Sequence, residues 1–221
     1  MLENNLKEMV AFEAIQYIKN VDVIGIGTGS TVNCFVNALA ETKQHIEGAI
    51  ASSVTTEKSL KKRGIPLIDL NSVPSLEIYI DGADEFNEHC YLIKGGGGAL
   101  TREKIIASIA DNFVCMVSEN KKVDVLGRFP LPIEVIPMAR SFVAREVAKL
   151  QGSPVYRNGF VTDNGNIILD VYNLNFLNPI ELERTLNNIP GIVGNGLFTH
   201  RPADILLVGT ASGVQKIVRK K

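Results

Sequence analysis

Acidic side chains are concentrated directly after an apolar run that is long enough to form a buried strand. The run is Leu76–Ile80, and Asp81, Asp84 and Glu85 follow it. Carboxylates this close repel each other, so one of them takes a raised pKa unless cations or hydrogen-bond donors compensate. A group of acids at a strand end is therefore a candidate for moving protons.

The candidate cation and a glycine-rich loop follow these acids. Lys94 ends a second short apolar run and leads into four consecutive glycines, Gly95–Gly98. Glycines accept positive φ and let backbone N–H groups approach a ligand closely. A helical pattern begins next, with Glu103 in its first turns, where the helix dipole favours an ionised carboxylate. Together these groups suit proton transfer on an oxygen-rich, anionic small molecule.

A second glycine-containing turn lies nearer the N-terminus and predicts an anion site. Val23–Gly27 is predicted as a buried strand, and Thr28–Thr31 follows it at the start of a helical pattern. This arrangement brings N–H groups and hydroxyls together. The turn also resembles a dinucleotide fingerprint, but Ser30 stands where glycine is needed, and the second strand ends at Ser52-Ser53 without an acid. We therefore expect phosphate binding and not nicotinamide binding.

The elements that carry these residues predict an α/β fold. Apolar strands alternate with helices, which indicates a parallel, Rossmann-like sheet covered on both faces. Ligands of such sheets bind beyond the carboxyl ends of the strands. Thr28–Thr31, Asp81–Asp84 and Lys121 all follow predicted strand ends, so we expect them to converge. The predicted strands of this sheet are 23–27, 49–52, 66–70, 76–80, 113–118 and 203–209.

A second, smaller domain is predicted after Pro130 and Pro132. The pattern beyond them is β-α-β-β-α-β, with Asn164-Gly165 in a hairpin turn, an order typical of ferredoxin-like split units. We predict a Rossmann-like catalytic domain formed by 1–129 plus 201–221, and an inserted ferredoxin-like α+β domain formed by 130–200. The basic C-terminal end, 216–221, is expected to be a solvated tail.

Composition excludes several classes of protein. The 221 residues are 45% apolar and 21% charged, with a net charge of -1, which is ordinary for a globular protein and gives no basic surface for nucleic acid or membranes. Neither the three cysteines nor the three histidines show metal-ligand spacing or a disulfide framework. With no signal peptide or membrane-spanning run, we expect a cytoplasmic protein that needs no metal or cofactor.

Several segments resemble ribose-5-phosphate isomerases of the A type. They are GIGTGST, IYIDGADE, IKGGGGALTREKIIAS, FPLPIEVIPMA and VTDNGNIILDV, and they are spread along essentially the whole chain. The resemblance implies interconversion of ribose 5-phosphate and ribulose 5-phosphate through an enediolate, in the pentose phosphate pathway and without a cofactor. The family commonly has Gly-Gly-Gly-Ala where this chain has four glycines, a difference that we expect to leave function unchanged.

The resemblance also implies a role for each site residue. Glu103 matches the base that moves a proton between C1 and C2, and Lys94 matches the cation that stabilises the developing enediolate. Asp81 and Asp84 match carboxylates that handle hydroxyl protons and sugar-ring opening. The implied substrate-binding positions are Lys7, Thr28, Gly29, Ser30, Thr31, Gly82, Ala83, Gly95, Gly96, Gly97 and Lys121.

Two other functions share parts of this pattern. A non-catalytic, sugar-phosphate-sensing effector domain would bind the same ligands, but it would normally carry a helix-turn-helix, and the predicted helix 2–19 is too short for one. An amino-sugar-phosphate isomerase/deaminase or an acyl-CoA transferase has a distantly similar fold, but DGADE and KGGGGALTRE argue against both. We therefore predict an isomerase that binds a small sugar phosphate and, as the resemblance implies, forms a homodimer.

Overall fold

The chain divides into two compact units. The computed structural model describes residues 2–42 and 45–220. The first unit consists of Met1–Ala83, Arg102–Lys121 and Ala203–Lys221, and the second of Asp84–Thr101 and Lys122–Pro202. Residues 84–101, 122–129 and 201–202, which are predicted from the sequence to belong to the first domain, thus fall in the second unit. Segment 84–101 pairs with Leu197–Phe198 of that unit through strands of only two residues. Strands this short leave no periodic signal in a sequence.

The helices and strands are numbered in chain order. They are α1 Leu2–Ala14, β1 Val23–Ile26, α2 Ser30–Thr42, β2 Gly48–Ala51, α3 Val54–Lys62, β3 Leu76–Gly82, β4 Glu85–Phe86, β5 Leu92–Ile93, α4 Leu100–Ile109, β6 Ala110–Ser118, β7 Leu131–Val135, α5 Arg140–Lys149, β8 Ser153–Tyr156, β9 Ile167–Tyr172, α6 Pro179–Asn187, β10 Ile192–Asn195, β11 Leu197–Phe198, β12 Ile205–Thr210 and β13 Gly213–Val218.

The first unit is built on a six-stranded sheet with the order β13-β12-β6-β3-β1-β2. The pairs from β12 to β2 are parallel, and the edge pair β12–β13 is antiparallel. The predicted parallel α/β sheet is therefore confirmed. Its strands read as unbroken apolar runs because side chains on them, such as Ile24 and Ile80, are buried in one core with Val10 of α1 and Phe35 of α2.

Two segments of the first unit differ from the prediction. The predicted strand 66–70 is wrong: it pairs through a bridge between Leu67 and Ala49, and Leu70–Ser72 then forms a 3₁₀ helix. The Asp69 side chain accepts a hydrogen bond from the N–H of Asn71, which starts this turn and ends the extended chain. Of the predicted C-terminal tail 216–221, residues 216–218 instead belong to β13, because Gly213, at φ 128, turns the chain back onto β12. Residues 219–220 follow the strand and are exposed, and residue 221 lies outside the described residues.

The second unit contains two antiparallel sheets. The larger has the order β10-β7-β9-β8, and its elements follow the chain as β7-α5-β8-β9-α6-β10, the order of a split β-α-β unit. The smaller has the order β11-β5-β4. Helices α5 and α6 bury Val143, Val147 and Leu186 in a core with β7 and β9.

The connection between β8 and β9 is longer than the expected hairpin turn. It runs from residue 157 to residue 166, so Asn164-Gly165 does not join the strands directly. The buried carboxylate of Glu134 accepts hydrogen bonds from the side chains of Thr162, Asn164 and Asn166. These bonds hold 162–166 as a separate turn and leave residues 157–161 for other contacts. Within the described residues, no helix is long and apolar enough to cross a membrane.

Candidate active site

The first predicted substrate loop, Thr28–Thr31, connects β1 to α2. The N–H of Thr28 donates to Oδ1 of Asp81 at 3.1 Å. The Thr28 hydroxyl lies 2.7 Å from Oγ of Ser52 and donates to Oγ of Ser53 at 2.8 Å. Ser52 and Ser53 follow β2, at the position where a dinucleotide-binding strand would end in an acid. Hydroxyls at one strand end thus hold the loop that leaves the neighbouring strand.

Asp81 is fully buried at the carboxyl end of β3. Its Oδ1 accepts the N–H groups of Thr28 at 3.1 Å and Gly82 at 2.7 Å, and its Oδ2 accepts the hydroxyl of Tyr79. A Cβ at Gly27 would lie 1.9 Å from Cγ of Asp81, so only glycine fits there. Donors of this kind offset the cost of burying a carboxylate.

Glu103 is the second buried carboxylate of the first unit. It lies in the first turn of α4 and is 3% exposed. Burial, the charge of Asp81 and the charge of Glu103, in that order, raise the pKa of the Tyr79 hydroxyl well above its usual value. Tyr79 therefore stays a protonated donor at neutral pH, and both carboxylates act electrostatically on the same phenol.

Lys7 and Lys121 act on one carboxylate, that of Glu3. Lys7 of α1 places its Nζ 2.9 Å from Oε1 of Glu3. The pKa of Glu3 is lowered, mainly by the hydrogen bond and charge of Lys7 and to a smaller extent by the charge of Lys121. Lys121 ends the 3₁₀ helix that follows β6. Two predicted substrate contacts that are 114 residues apart in the sequence therefore share one electrostatic neighbourhood.

In the second unit, the glycine loop has a defined backbone conformation. Gly95 and Gly98 have φ values of 104 and 78, which side chains rarely adopt. The N–H of Gly96 donates to Oδ2 of Asp84 at 2.8 Å, and the N–H of Asp84 donates to the carbonyl of Ile93 at 2.9 Å. A Cβ at Gly98 would lie 2.2 Å from the ring of Phe160. The loop is thus a packed structure and not a flexible linker.

Lys94 carries a buried ammonium directly before this loop. The residue is 2% exposed, and its backbone N–H donates to the carbonyl of Gly196 at 2.9 Å. Its Nζ lies 5.6 Å from the centroid of the Phe198 ring, a cation–π contact. Because Coulomb interactions are strong where water is excluded, this ammonium can stabilise negative charge that develops next to it.

Glu85, the third acid of the sequence cluster, has a different task. Its carboxylate accepts the N–H groups of Gly127, at 2.8 Å, and Phe129. Burial is the main cause that raises its pKa. Glu85 therefore holds residues 127–129 in place and takes no part in the pair that the sequence analysis assigns to proton transfer.

Comparison with known proteins decides the family. The family model for ribose 5-phosphate isomerase A (phosphoriboisomerase A) matches residues 48–213. The chain belongs to this family. The solved ribose 5-phosphate isomerase A of Neisseria gonorrhoeae is 42% identical, with 99% of this chain and 98% of that chain covered and a TM-score of 0.97. The isomerase A of Methanocaldococcus jannaschii is 41% identical, with 97% and 98% covered and a TM-score of 0.91.

A third solved structure is a D-ribose-5-phosphate isomerase in complex with phospho-erythronic acid. It is 37% identical, with 99% of this chain and 100% of that chain covered and a TM-score of 0.94. These matches confirm the predicted family and its activity. The protein is a ribose 5-phosphate isomerase, an enzyme that interconverts an aldose phosphate and a ketose phosphate.

In this isomerase, the predicted residues form groups within each unit. Thr28 contacts Asp81 in the first unit, where Glu103 also acts on Tyr79. In the second unit, Asp84 contacts the loop that follows Lys94. Among the residues that the structure describes, no set of three or more His, Cys, Asp and Glu side chains could hold a metal ion.

Sequence reasoning missed two residues of these groups. Tyr79 lies two positions before Asp81 on the same strand face, but the run Leu76–Ile80 is apolar throughout and hides this alternation. Arg157 donates to the carbonyls of Gly95 and Gly96, although it lies about sixty residues away along the chain. No local pattern could have revealed that contact.

Proposed function

We propose that Glu103 removes the C2 proton of open-chain ribose 5-phosphate and returns it to C1 on the same face of a cis-enediolate. One observation carries this assignment: the two buried carboxylates of the first unit have different environments. Asp81 accepts three hydrogen bonds, which suit a carboxylate that is held in one place. Glu103 lies in the first turn of α4, where the dipole favours the ionised base.

Lys94 and the N–H groups of Gly95 and Gly97 are assigned to the oxygen of the sugar that becomes negative, and the N–H of Gly96 is assigned to holding Asp84 beside the substrate. When the C2–H bond breaks, its electron pair forms the C1–C2 double bond, and the carbonyl electrons move to O1. A buried ammonium stabilises this charge more in the transition state than in the ground state. The buried state of Lys94 supports the assignment.

Asp81 and Asp84 are assigned to the hydroxyl protons. One of them opens the sugar ring, and the transfer of the O2 proton to O1 completes the ketose. The substrate itself is assigned to Thr28, Gly29, Ser30, Thr31, Gly82 and Ala83, with its phosphate on Lys7 and Lys121. The shared action of the two lysines on Glu3 supports the phosphate assignment, because a group that attracts one anion also attracts another.

The variant Glu103→Gln tests the proposal, because it keeps the shape of the side chain and removes its basicity. We expect it to bind ribose 5-phosphate with an affinity within about threefold of wild type and to lose at least a thousandfold in kcat, a general-base loss at the upper end of the usual range of about 10²–10⁴. The control is Glu181→Gln, which changes an exposed acid in the first turn of α6 and should leave kcat unchanged.

Solvent deuterium gives a second measurement. In D₂O, the wild type should place deuterium at C1 of the ketose to the extent that the transferred proton exchanges, and Glu103→Gln should place almost none. Near-normal turnover of Glu103→Gln would move the base to Asp81 or Asp84.

We further propose that the isomerase works as a homodimer in the cytoplasm without a metal ion. Cys34, Cys90 and Cys115 are free thiols, which suits a reducing compartment. Light scattering should give twice the mass of one chain, and exhaustive chelation should leave turnover unchanged. A monomer of full activity, or activity restored only by Mg²⁺ or Mn²⁺, would contradict these statements.

A further inference from the structure

The guanidinium of Arg157 is bound to the outer side of the glycine loop. Arg157 is the first residue after β8. Its Nη1 donates to the carbonyl of Gly95 at 3.3 Å and to that of Gly96 at 3.1 Å, and its Nη2 lies 3.4 Å from the carbonyl of Gly95. Both carbonyls therefore receive hydrogen bonds from one positive charge.

These two carbonyls belong to successive peptide groups of the loop. The carbonyl of Gly95 shares its peptide with the N–H of Gly96, which donates to Oδ2 of Asp84 at 2.8 Å. The carbonyl of Gly96 shares its peptide with the N–H of Gly97, which is assigned to the substrate. In a planar trans peptide, the N–H points away from the carbonyl. A cation on the carbonyl side thus fixes the N–H direction on the other side, and it polarises both peptides so that their N–H groups become stronger donors.

The guanidinium is itself held in a fixed orientation. Nε donates to Oδ2 of Asp170 at 2.8 Å, and Nη2 donates to the other carboxylate oxygen. The side chains of Arg157 and Asp170 are only 18% and 17% exposed. The guanidinium carbon lies 5.4 Å from the centroid of Phe160, the ring that also packs against Gly98.

A loop of consecutive glycines needs such support to keep one conformation. The loop needs positive φ at Gly95 and Gly98, and glycine loses more conformational entropy on ordering than any other residue. An N–H donor stabilises a transition state only if its direction is fixed before charge develops. Arginine suits this task and lysine does not, because a planar guanidinium can donate to two carbonyls and a carboxylate at once.

We propose that Arg157 is a positioning residue of the isomerase, which orients and polarises the two peptides that carry the carbonyls of Gly95 and Gly96. It acts on the sugar only through the N–H of Gly97 and through Asp84, which the N–H of Gly96 binds. This inference rests on the proposed function. It assigns to Asp170 the role of orienting Arg157.

The main test is Arg157→Ala with chemical rescue. We expect kcat to fall about tenfold to a hundredfold, which is no more than the fall in kcat when a direct oxyanion donor is removed. KM should change less than about threefold. Added ethylguanidinium should restore at least part of kcat, since it can occupy the vacated site beside Asp170. The matched control is Arg140→Ala, because Arg140 also lies over an aromatic ring of the same unit, 5.0 Å from the centroid of Tyr156, and should leave kcat unchanged.

Further variants separate positioning from a loss of folding. Arg157→Lys keeps the charge but cannot donate to both carbonyls and Asp170, so its kcat should lie between wild type and Arg157→Ala. Asp170→Asn should lower kcat less than Arg157→Ala does. If Arg157→Ala does not fold, the kcat values of Arg157→Lys and Asp170→Asn still decide the question. Wild-type kcat in both of these variants would overturn the inference.

The outcomes for the two proposals are distinguishable. A folded Arg157→Ala with wild-type kcat overturns the positioning role and leaves the isomerase mechanism intact. The positioning role is also overturned if the kcat of Arg157→Ala falls only in proportion to the folded fraction. In that case ethylguanidinium would restore thermal stability but not kcat. Failure of Glu103→Gln to lose activity overturns the proposed mechanism whatever Arg157 does.

Discussion

The two glycine-containing loops of the chain are held by different chemistry. The loop after β1 is held by neutral donors and hydroxyls around one buried carboxylate, Asp81. The loop after Lys94 is held by a guanidinium on one side and the carboxylate of Asp84 on the other. Hydroxyls fix a backbone by short contacts, whereas a charge also changes its donor strength. We infer that the first loop depends on the position of one buried carboxylate, and the second on opposite charges at its two sides.

The strongest test of this difference is the removal of the ammonium beside the second loop. Lys94→Ala should lower kcat by about a hundredfold or more, because the lost interaction forms mainly in the transition state. KM should change far less. Steady-state kinetics measures both constants. The control is Lys149→Ala, which removes an exposed lysine of the same unit. A raised KM with intact kcat would make Lys94 a ground-state contact instead.

Added volume just before the first loop should displace the carboxylate that holds it. In Gly27→Ala, the methyl group would lie 1.9 Å from Cγ of Asp81, so the carboxylate must shift and lose hydrogen bonds. We expect kcat to fall about tenfold or more and the free energy of unfolding to fall by about 1–3 kcal/mol. Urea unfolding and kinetics are compared with Gly64→Ala, where the Cβ would meet open space but the positive φ of 70 strains an alanine. This control should lose stability and keep its kcat, which separates the effect on Asp81 from a loss of stability. Wild-type kcat in Gly27→Ala would show that the first loop does not depend on the position of Asp81.

Tyr79→Phe sharpens the comparison by removing one donor without a change of volume. We expect kcat to fall about fivefold to tenfold, in line with the ~1.5–3 kcal/mol of a hydrogen bond to a charged group. The fall should appear in kcat more than in KM, because Asp81 is assigned to the hydroxyl protons and not to the phosphate. Tyr172→Phe, at an exposed position, is the control. A wild-type kcat in Tyr79→Phe would show that this hydrogen bond does not support the role of Asp81.

Tyr79 also makes a prediction about stability. The folded chain raises the pKa of this phenol, so the unfolded chain releases the proton first as the pH rises past about 10. Stability is then fully present below that pH and falls above it. Tyr79→Phe should show a smaller fall in the free energy of unfolding between pH 9 and about 11. Equal slopes for the two proteins would contradict the raised pKa.

The smallest effect is expected at Glu3, which competes for the lysines assigned to the phosphate. Glu3→Gln should lower KM for ribose 5-phosphate by less than about threefold, because exposed charges are screened by solvent and salt. The effect should shrink as salt is added. Glu8→Gln, at an exposed position of the same helix, is the control. A raised KM would mean that Glu3 orients Lys7 for binding.

The sequence predicts the fold well where local patterns carry it. Unbroken apolar runs predicted the parallel sheet, and the acids after β3 were found because they interrupt such a run. The strand predicted at 66–70 was wrong because one side chain, Asp69, ends the extended chain. Contacts such as Arg157 with Gly95 depend on how the chain returns after many residues, so periodicity and spacing cannot reveal them.

The packing of Phe160 against Gly98 has a consequence for the evolution of this family. Alanine at position 98 would require the ring to leave, because a Cβ there would lie 2.2 Å from it. Substitutions at 98 and 160 should therefore be inherited together, and relatives that carry alanine at the end of the glycine run should have a side chain smaller than phenylalanine at the second position. An alignment of the family in which the two positions vary independently would contradict this coupling.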